Sequence, residues 1–318
     1  MITAILLCLL GFVALIIGAE FLISGSSSLA KRMNVSEIAI GLTIVAFGTS
    51  MPELVVNVFA SLHGNNEIAL GNVIGSNIFN IFFILGIAGL IFPLHVLKNT
   101  VWREIPFAFF AIVVMFFLAN DTLKGGDGPG LISLADSIIM LAFFALFTLY
   151  VFYISKITSG DDNPVKMYSV PITVIRIIAG FVGLIIGGNL VVTHSVTIAS
   201  ALGMSEKLIG LTIVAGGTSL PELFTSAIAA YKKRCDIAVG NIVGSNIFNI
   251  LFILGISGTI KPITYSKVFN TDLYIMFAAT ILLFITMFTG KKHRLDRAEA
   301  LILIVCYIGY VVFLIHRN

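Results

Sequence analysis

The stretch GLTIVAFGTSMPEL at residues 41–54 returns as GLTIVAGGTSLPEL at residues 210–223. A second stretch, GNVIGSNIFNIFFILGI at 71–87, returns as GNIVGSNIFNILFILGI at 240–256. The offset is 169 residues in both cases, and 29 of the 47 positions aligned across the two stretches and the segment between them are identical. The chain is therefore organised as two copies of one unit, and this internal repeat governs the interpretation of the fold.

The composition places both copies in a lipid bilayer. Of the 318 residues, 58% are hydrophobic and 11% are charged, whereas soluble domains carry about 25% charged residues. The mean hydropathy is +1.07, and the net charge of +3 is small. Three scattered cysteines are too few for a disulfide framework or a zinc site. The first apolar run lacks a basic n-region and a small-residue cleavage site, so we expect it to be retained as a first span. The sequence predicts neither a cofactor nor a nucleic-acid partner, and it does not indicate an oligomeric state.

Apolar runs of about 17–25 residues suffice to cross the bilayer as helices. Ten runs of this kind occur, at 2–23, 37–62, 68–92, 104–120, 131–155, 171–194, 206–230, 237–260, 271–289 and 298–315. The predicted fold class is an all-α integral membrane protein with ten transmembrane helices, arranged as two inverted-topology repeats of five. The first repeat would cover residues 1–158 and the second residues 171–318, joined by a polar linker at 159–170 into one transport domain.

The basic residues predict the orientation of these spans. Loops after odd-numbered spans hold 14 of the 19 Lys and Arg residues, so the positive-inside rule makes their side cytoplasmic and both termini extracytoplasmic. The expected location is the plasma (inner) membrane of a prokaryote, crossed many times. Because each copy contains five spans, an odd number, the second copy must be inserted upside down relative to the first. Inverted repeats are typical of secondary transporters that work by alternating access around a midplane site.

Two carboxylates lie in the middle of predicted spans, Glu53 and its counterpart Glu222. A charge at the bilayer centre costs at least about 2.5–3.5 kcal/mol, so such residues normally mark an ion site or pathway. Pro52 and Pro221 directly precede them and must break or kink each helix. We expect carbonyls just before each break to act as oxygen ligands at a half-helix end that carries partial negative charge, which suits cations.

Neutral oxygen donors accompany each glutamate at four-residue spacing, which places them on one helix face. These polar stripes comprise Thr49 and Asn57 beside Glu53, Thr218 and Ser226 beside Glu222, Asn72, Ser76 and Asn80 on the next helix of the first copy, and Asn241, Ser245 and Asn249 on the next helix of the second. Calcium takes 6–8 oxygen ligands in a flexible cage. No His or Cys belongs to the cluster, which argues against zinc, copper and nickel.

The motif G-T-S-x-P-E, followed by G-N-x-x-G-S-N-I-x-N-I, resembles the alpha-repeats of the sodium/calcium exchanger family, within the calcium/cation antiporters, and the correspondence covers the whole ten-span organisation. The resemblance implies an antiporter rather than an enzyme, with Ca²⁺ and Na⁺ as its transported partners and no cofactor. It implies Ca²⁺ held by Glu53 and Glu222 with the carbonyls of Thr49 and Thr218. It further implies sodium sites that draw on Ala46, Ser50, Ser76, Ala215, Ser219 and Ser245, with Asn80 and Asn249 at the centre.

One departure from the family pattern bears on the driving ion. Archaeal exchangers of the family have Asp where this chain has Asn249, so the expected core holds two carboxylates and a charge of −2. One Ca²⁺, two Na⁺ or two protons would neutralise it, and Ca²⁺/H⁺ antiport is therefore the alternative. The many neutral oxygens favour sodium, since a purely proton-coupled site would have little use for them. An intramembrane hydrolase and a passive channel fit less well, because no Ser/His pair lies at membrane depth and two broken helices suit occlusion.

Overall fold

The structure is a computed structural model that describes residues 1–120, 130–155, 166–203, 215–290 and 293–317. Helices dominate it, and four short strands accompany them. The helices are α1 (Ile2–Met33), α2 (Glu37–Thr49), α3 (Met51–His63), α4 (Asn66–Ile91), α5 (Thr100–Ala119), α6 (Leu134–Ser155), α7 (Val170–Ala201), α8 (Ala215–Gly217), α9 (Leu220–Tyr231), α10 (Cys235–Ile260), α11 (Phe269–Thr286) and α12 (Arg297–Arg317).

Eight helices of the described residues are long and apolar enough to cross a membrane. The count becomes nine when α2 and α3, which meet at an angle of 48°, are taken as one broken span. The predicted span at 206–230 begins in residues 204–214, which lie outside the described residues, and α8 and α9 are its described part. Most of the predicted linker at 159–170 also lies outside them. The chain is thus an all-helical, multi-pass membrane protein.

Helices α1 and α7 are each 32 residues long, and the predicted ends of their spans, 23 and 194, were wrong. The polar continuation of α1 stays helical because it packs against α7: the hydroxyl oxygens of Ser28 and Thr173 lie 3.0 Å apart in a buried contact. Glycines let the two backbones approach. A Cβ atom on Gly18 would lie 2.8 Å from the backbone nitrogen of Leu184 and 2.9 Å from the carbonyl oxygen of Gly180. Small residues at such crossings are typical of membrane helix pairs.

Helices α4 and α10 form the centre of the molecule. In the most apolar 18-residue stretch of each helix, 72% of α4 and 94% of α10 are buried, against 17% for α12. Both central helices contain a wider π-helical turn, at Asn80–Ile84 in α4 and at Phe248–Ile253 in α10. Turns of this kind occur mostly as single bulges inside α-helices and often at functional sites. The peripheral helices, in contrast, leave many large apolar side chains exposed, as a lipid-facing surface requires.

The four strands form two short antiparallel ribbons that connect loops of the two copies. Strand β1 (Leu94–His95) pairs with β4 (Arg294–Leu295). Strand β2 (Gly130–Ile132) pairs with β3 (Ile263–Tyr265). Each ribbon joins one loop of the first copy to one loop of the second, so the two copies are fastened to one another outside the helices.

Candidate ion-binding site

Both predicted helix breaks are present, and they set the position of each glutamate. Between α2 and α3 the chain leaves helical geometry at Ser50 (φ −84°, ψ 9°), and before α9 it does so at Ser219 (φ −89°, ψ 11°). A proline follows in the first turn of each new helix, where its missing N–H is tolerated. Glu53 and Glu222 therefore lie in the first turn of a half-helix, whose N-terminal end carries partial positive charge and stabilises a carboxylate.

Each glutamate is bound by a serine of the other copy. The Ser50 hydroxyl donates to Oε1 of Glu222 at 2.7 Å, and the Ser219 hydroxyl donates to Oε1 of Glu53 at 2.8 Å. Both glutamates are 1% exposed. The two copies thus meet at their breaks, and the structure brings the predicted site residues Glu53, Ser50, Glu222 and Ser219 into one buried cluster.

The second carboxylate oxygen of each glutamate differs from the first in its contacts. Oε2 of Glu53 and Oε2 of Glu222 are buried without a hydrogen-bond partner among the described residues. A buried carboxylate oxygen left in this way is costly, and such groups are normally paired or bind a metal. Both oxygens belong to acidic groups, whose burial requires either a bound cation or a proton to offset the charge.

Two asparagines add free amide oxygens of the same kind. Nδ2 of Asn80 donates to Oδ1 of Asn246 at 2.9 Å, and Nδ2 of Asn249 donates to Oδ1 of Asn77 at 2.9 Å. These bonds fix the orientation of both amides. Oδ1 of Asn80 and Oδ1 of Asn249 are left buried and without a hydrogen-bond partner in the described part of the chain. The cluster therefore offers four unpaired acceptor oxygens, one from each of four symmetry-related side chains.

The remaining polar stripes form a supporting layer. The Thr49 hydroxyl lies 3.0 Å from Oδ1 of Asn241, whose Nδ2 donates to the Ser226 hydroxyl at 3.0 Å. In the other copy, Nδ2 of Asn72 donates to Oδ1 of Asn57 at 2.6 Å. These neutral amides and hydroxyls bond to one another and hold the broken helices against α4 and α10.

The other predicted ligands differ in the hydrogen bonds that they make. The Ser245 hydroxyl oxygen lies 2.9 Å from that of Ser50, while the Ser76 hydroxyl is buried without a hydrogen-bond partner among the described residues. The carbonyl of Ala46 accepts the Ser50 N–H at 3.0 Å and lies 3.3 Å from the Thr49 hydroxyl, which can also donate to it. Ala215 begins the short helix α8, and Thr218 lies in the turn that follows it.

Asn77 and Asn246 were missed by the sequence analysis, although they fix the orientation of the two central amides. They fall off the four-residue stripes, because each lies one position after Ser76 or Ser245. The signal was present in the sequence: both belong to the repeated G-S-N-I-F-N-I segment and share the 169-residue offset.

A model of the family described as sodium/calcium exchanger protein matches residues 3–153 and 172–316 of the chain. The two matched segments coincide with the two copies and contain both broken helices. This chain belongs to the sodium/calcium exchanger family. Members of the family are transporters rather than enzymes, and they carry Ca²⁺ and Na⁺ without a cofactor.

Relatives match this exchanger over its full length. CaxA of Alkalimonas amylolytica is 38% identical over 321 aligned positions, with 98% of each chain covered. The sodium/calcium exchanger MaX1 of Methanosarcina acetivorans is 32% identical over 347 aligned positions, again with 98% of each chain covered. A solved structure of the sodium–calcium exchanger NCX_Mj, soaked with 2.5 mM Na⁺ and 0.1 mM Ca²⁺, superposes with a TM-score of 0.80 at 32% identity and covers 98% of both chains.

Proposed function

We propose that this exchanger moves Ca²⁺ against Na⁺ across the membrane by alternating access, with one central site that the two ions occupy in turn. The observation that carries the proposal is the set of four buried, unpaired oxygens on Glu53, Glu222, Asn80 and Asn249. Two are anionic and two are neutral, and all are hard ligands of the kind that Ca²⁺ and Na⁺ prefer.

The proposed calcium ligands are these four oxygens together with the carbonyls of Thr49 and Thr218. That gives six oxygens, within the range of 6–8 that Ca²⁺ takes. The two carboxylates supply a charge of −2, which one Ca²⁺ neutralises in full. In the described part of the chain, the partner of each glutamate is a neutral serine hydroxyl from the opposite copy and not a cation.

The proposed sodium ligands are the hydroxyls of Ser50, Ser76, Ser219 and Ser245 and the carbonyls of Ala46 and Ala215. The Ser50 and Ser219 hydroxyls donate hydrogen bonds to the glutamates. A hydroxyl rotates freely about its C–O bond and can turn a lone pair towards a cation instead. Binding Na⁺ would therefore disrupt the bonds that hold the carboxylates in place, which makes Na⁺ a competitor of Ca²⁺ in the same cluster.

Contacts between loops support the proposed topology of ten spans in two inverted repeats, 1–158 and 171–318. If the spans alternate in direction, loops after odd-numbered spans share one face and loops after even-numbered spans share the other. Strands β1 and β4 follow the third and ninth predicted spans, and β2 and β3 follow the fourth and eighth. Arg234, after the seventh predicted span, lies 3.4 Å from Glu37, the first residue of the second predicted span, where the loop after the first span ends. Each of these contacts joins loops of the same parity, as inverted repeats require.

The same parity assigns the faces of the membrane. Loops of odd parity carry most of the basic residues, so we place them in the cytoplasm and both termini outside it, in the plasma (inner) membrane. Each copy then contributes one broken helix from opposite directions to a site near the midplane. Rocking of one copy against the other would expose that site to the two faces alternately.

The test is calcium flux into proteoliposomes that contain the purified chain. An outward sodium gradient should drive Ca²⁺ uptake, and collapsing that gradient should stop it. A proton gradient imposed at equal sodium on both sides should drive little uptake. Flux that follows the proton gradient and ignores sodium would replace the proposal with Ca²⁺/H⁺ exchange, and absence of ion-driven flux under every gradient would reject antiport altogether.

A further inference from the structure

A cavity of about 470 Å³ leads towards the ion site from one end of α12. Its inner wall includes Ser76 and Thr218, two of the proposed ligands. Its outer part is lined by Asp272 of α11 and by Tyr310 and Arg317 of α12. The cavity therefore connects the last turn of α12 with the side of the cluster that holds the unpaired Ser76 hydroxyl.

A charged cluster occupies the outer part of this cavity. Nη2 of Arg317 lies 3.0 Å from Oδ2 of Asp272, and the Tyr310 hydroxyl donates to Oδ1 of Asp272 at 3.1 Å. Asp272 is only 4% exposed. Nε and Nη1 of Arg317 are buried without hydrogen-bond partners among the described residues. Among the described residues the guanidinium makes one ion pair and leaves two buried donor atoms without a partner, an arrangement that stability alone does not explain.

We propose that Arg317 and Asp272 form a charge gate at the extracytoplasmic mouth of the access path. The guanidinium is paired with the carboxylate that an incoming Ca²⁺ or Na⁺ would otherwise contact. The proposal rests on the proposed function and topology, which place the end of α12 outside the cytoplasm. Arginine remains charged at every accessible pH, so the guanidinium keeps its positive charge whether or not it is paired with Asp272. A cation reaches Ser76 and Glu53 only after it displaces Arg317 from Asp272.

Neutralising Arg317 and neutralising Asp272 should change the KM for Ca²⁺ in opposite directions. Arg317→Gln leaves Asp272 as a free negative charge in a narrow cleft, and such clefts raise local cation concentration and association rates by about 10–10³-fold. We expect the KM for Ca²⁺ at the extracytoplasmic face to fall about tenfold. Asp272→Asn leaves the guanidinium as an unopposed positive charge, so the KM at that face should rise by a similar factor. The double variant should return near the wild-type value.

The experiment compares Ca²⁺ exchange in right-side-out and inverted membrane vesicles from cells that make each variant, with the wild type measured alongside. The change in KM should be confined to the extracytoplasmic face and should shrink as choline chloride is added, since salt screens charges that solvent reaches. Arg317→Lys, which keeps the charge, should stay close to the wild type. Glu104→Gln is the matched control. Like Asp272, Glu104 is a buried acid that accepts a hydrogen bond from a tyrosine hydroxyl, here that of Tyr150 at 2.9 Å. Glu104 does not line the cavity.

Each outcome has a distinct meaning. Unchanged KM values at both faces in Arg317→Gln, with normal wild-type exchange, would overturn the charge gate and leave the proposed function intact. Equal changes at both faces, or changes insensitive to salt, would overturn it too, because they point to a packing defect. Loss of sodium-driven Ca²⁺ flux in the wild type would overturn the proposed function and the gate together. Arg317 lies in the last turn of α12, so its substitution leaves the helix core in place.

Discussion

Replacing Glu53 with Gln separates ion binding from folding. In the wild type the Ser219 hydroxyl lies 2.8 Å from Oε1 of Glu53. The Gln side chain keeps an acceptor oxygen for this hydroxyl. It puts an amide NH₂ group in place of the unpaired Oε2, and it removes one of the two negative charges that would neutralise Ca²⁺. Removing one partner of a buried charge interaction costs about 3–5 kcal/mol. Since about 1.4 kcal/mol is tenfold, Ca²⁺ affinity should fall by about two to four orders of magnitude.

The assay is thermal unfolding of the purified chain in detergent with and without Ca²⁺. A ligand at 100 times its dissociation constant stabilises a protein by about 2.7 kcal/mol, and this gain should vanish in Glu53→Gln. The ion-free variant should be at least as stable as the wild type, because a buried charge without a counter-ion has been removed. Glu104→Gln, which also neutralises a buried glutamate, should retain the calcium effect. Undiminished stabilisation of Glu53→Gln by Ca²⁺ would refute the assignment of this residue.

Three further predictions concern the centre of the site, the topology and pH. Asn249→Asp should destabilise the ion-free chain by about 1–3 kcal/mol, because Oδ1 of Asn77 loses the donor now 2.9 Å away; saturating Ca²⁺ should reverse the loss, and an unaltered unfolding temperature without ions would contradict this. In a chain without its native thiols, Asn65→Cys and Lys233→Cys, both at exposed positions, should react with an impermeant reagent from opposite faces, and labelling from one face would contradict the inverted repeat. Exchange at a fixed sodium gradient, with equal pH on both sides, should decline as pH falls because protonation of Glu53 and Glu222 removes the site's charge; flux that stays constant as acid is added would argue against ionised glutamates.

The sequence was most informative where chemistry and spacing coincide. A carboxylate directly after a proline, in the middle of an apolar run and repeated at a constant offset, sufficed to place Glu53 and Glu222 at two helix breaks. The spacing of Asn72, Ser76 and Asn80 predicted a polar face on α4, and the contact of Asn72 with Asn57 places that face against the broken helix.

Features that depend on contacts between distant segments were not predictable in the same way. Hydropathy ends α1 near residue 23, whereas packing of its serines and glycines against α7 extends the helix to Met33. Four-residue periodicity describes one face of one helix, whereas Asn77 reaches the site through its contact with Asn249 of the other copy. The pairing of Asp272 with Arg317 joins residues 45 positions apart through two helix ends, and no local pattern marks it.

The central claim is that Ca²⁺ lies between the unpaired oxygens of the two copies. Anomalous diffraction from crystals soaked in Ca²⁺ without Na⁺ tests it most directly. If Ca²⁺ binds there, one strong peak should lie within about 2.3–2.6 Å of Oε2 of Glu53 and of Oε2 of Glu222. This peak should disappear when Na⁺ is added in excess. A calcium peak that contacts neither glutamate, or one that persists undiminished in saturating Na⁺, would contradict it.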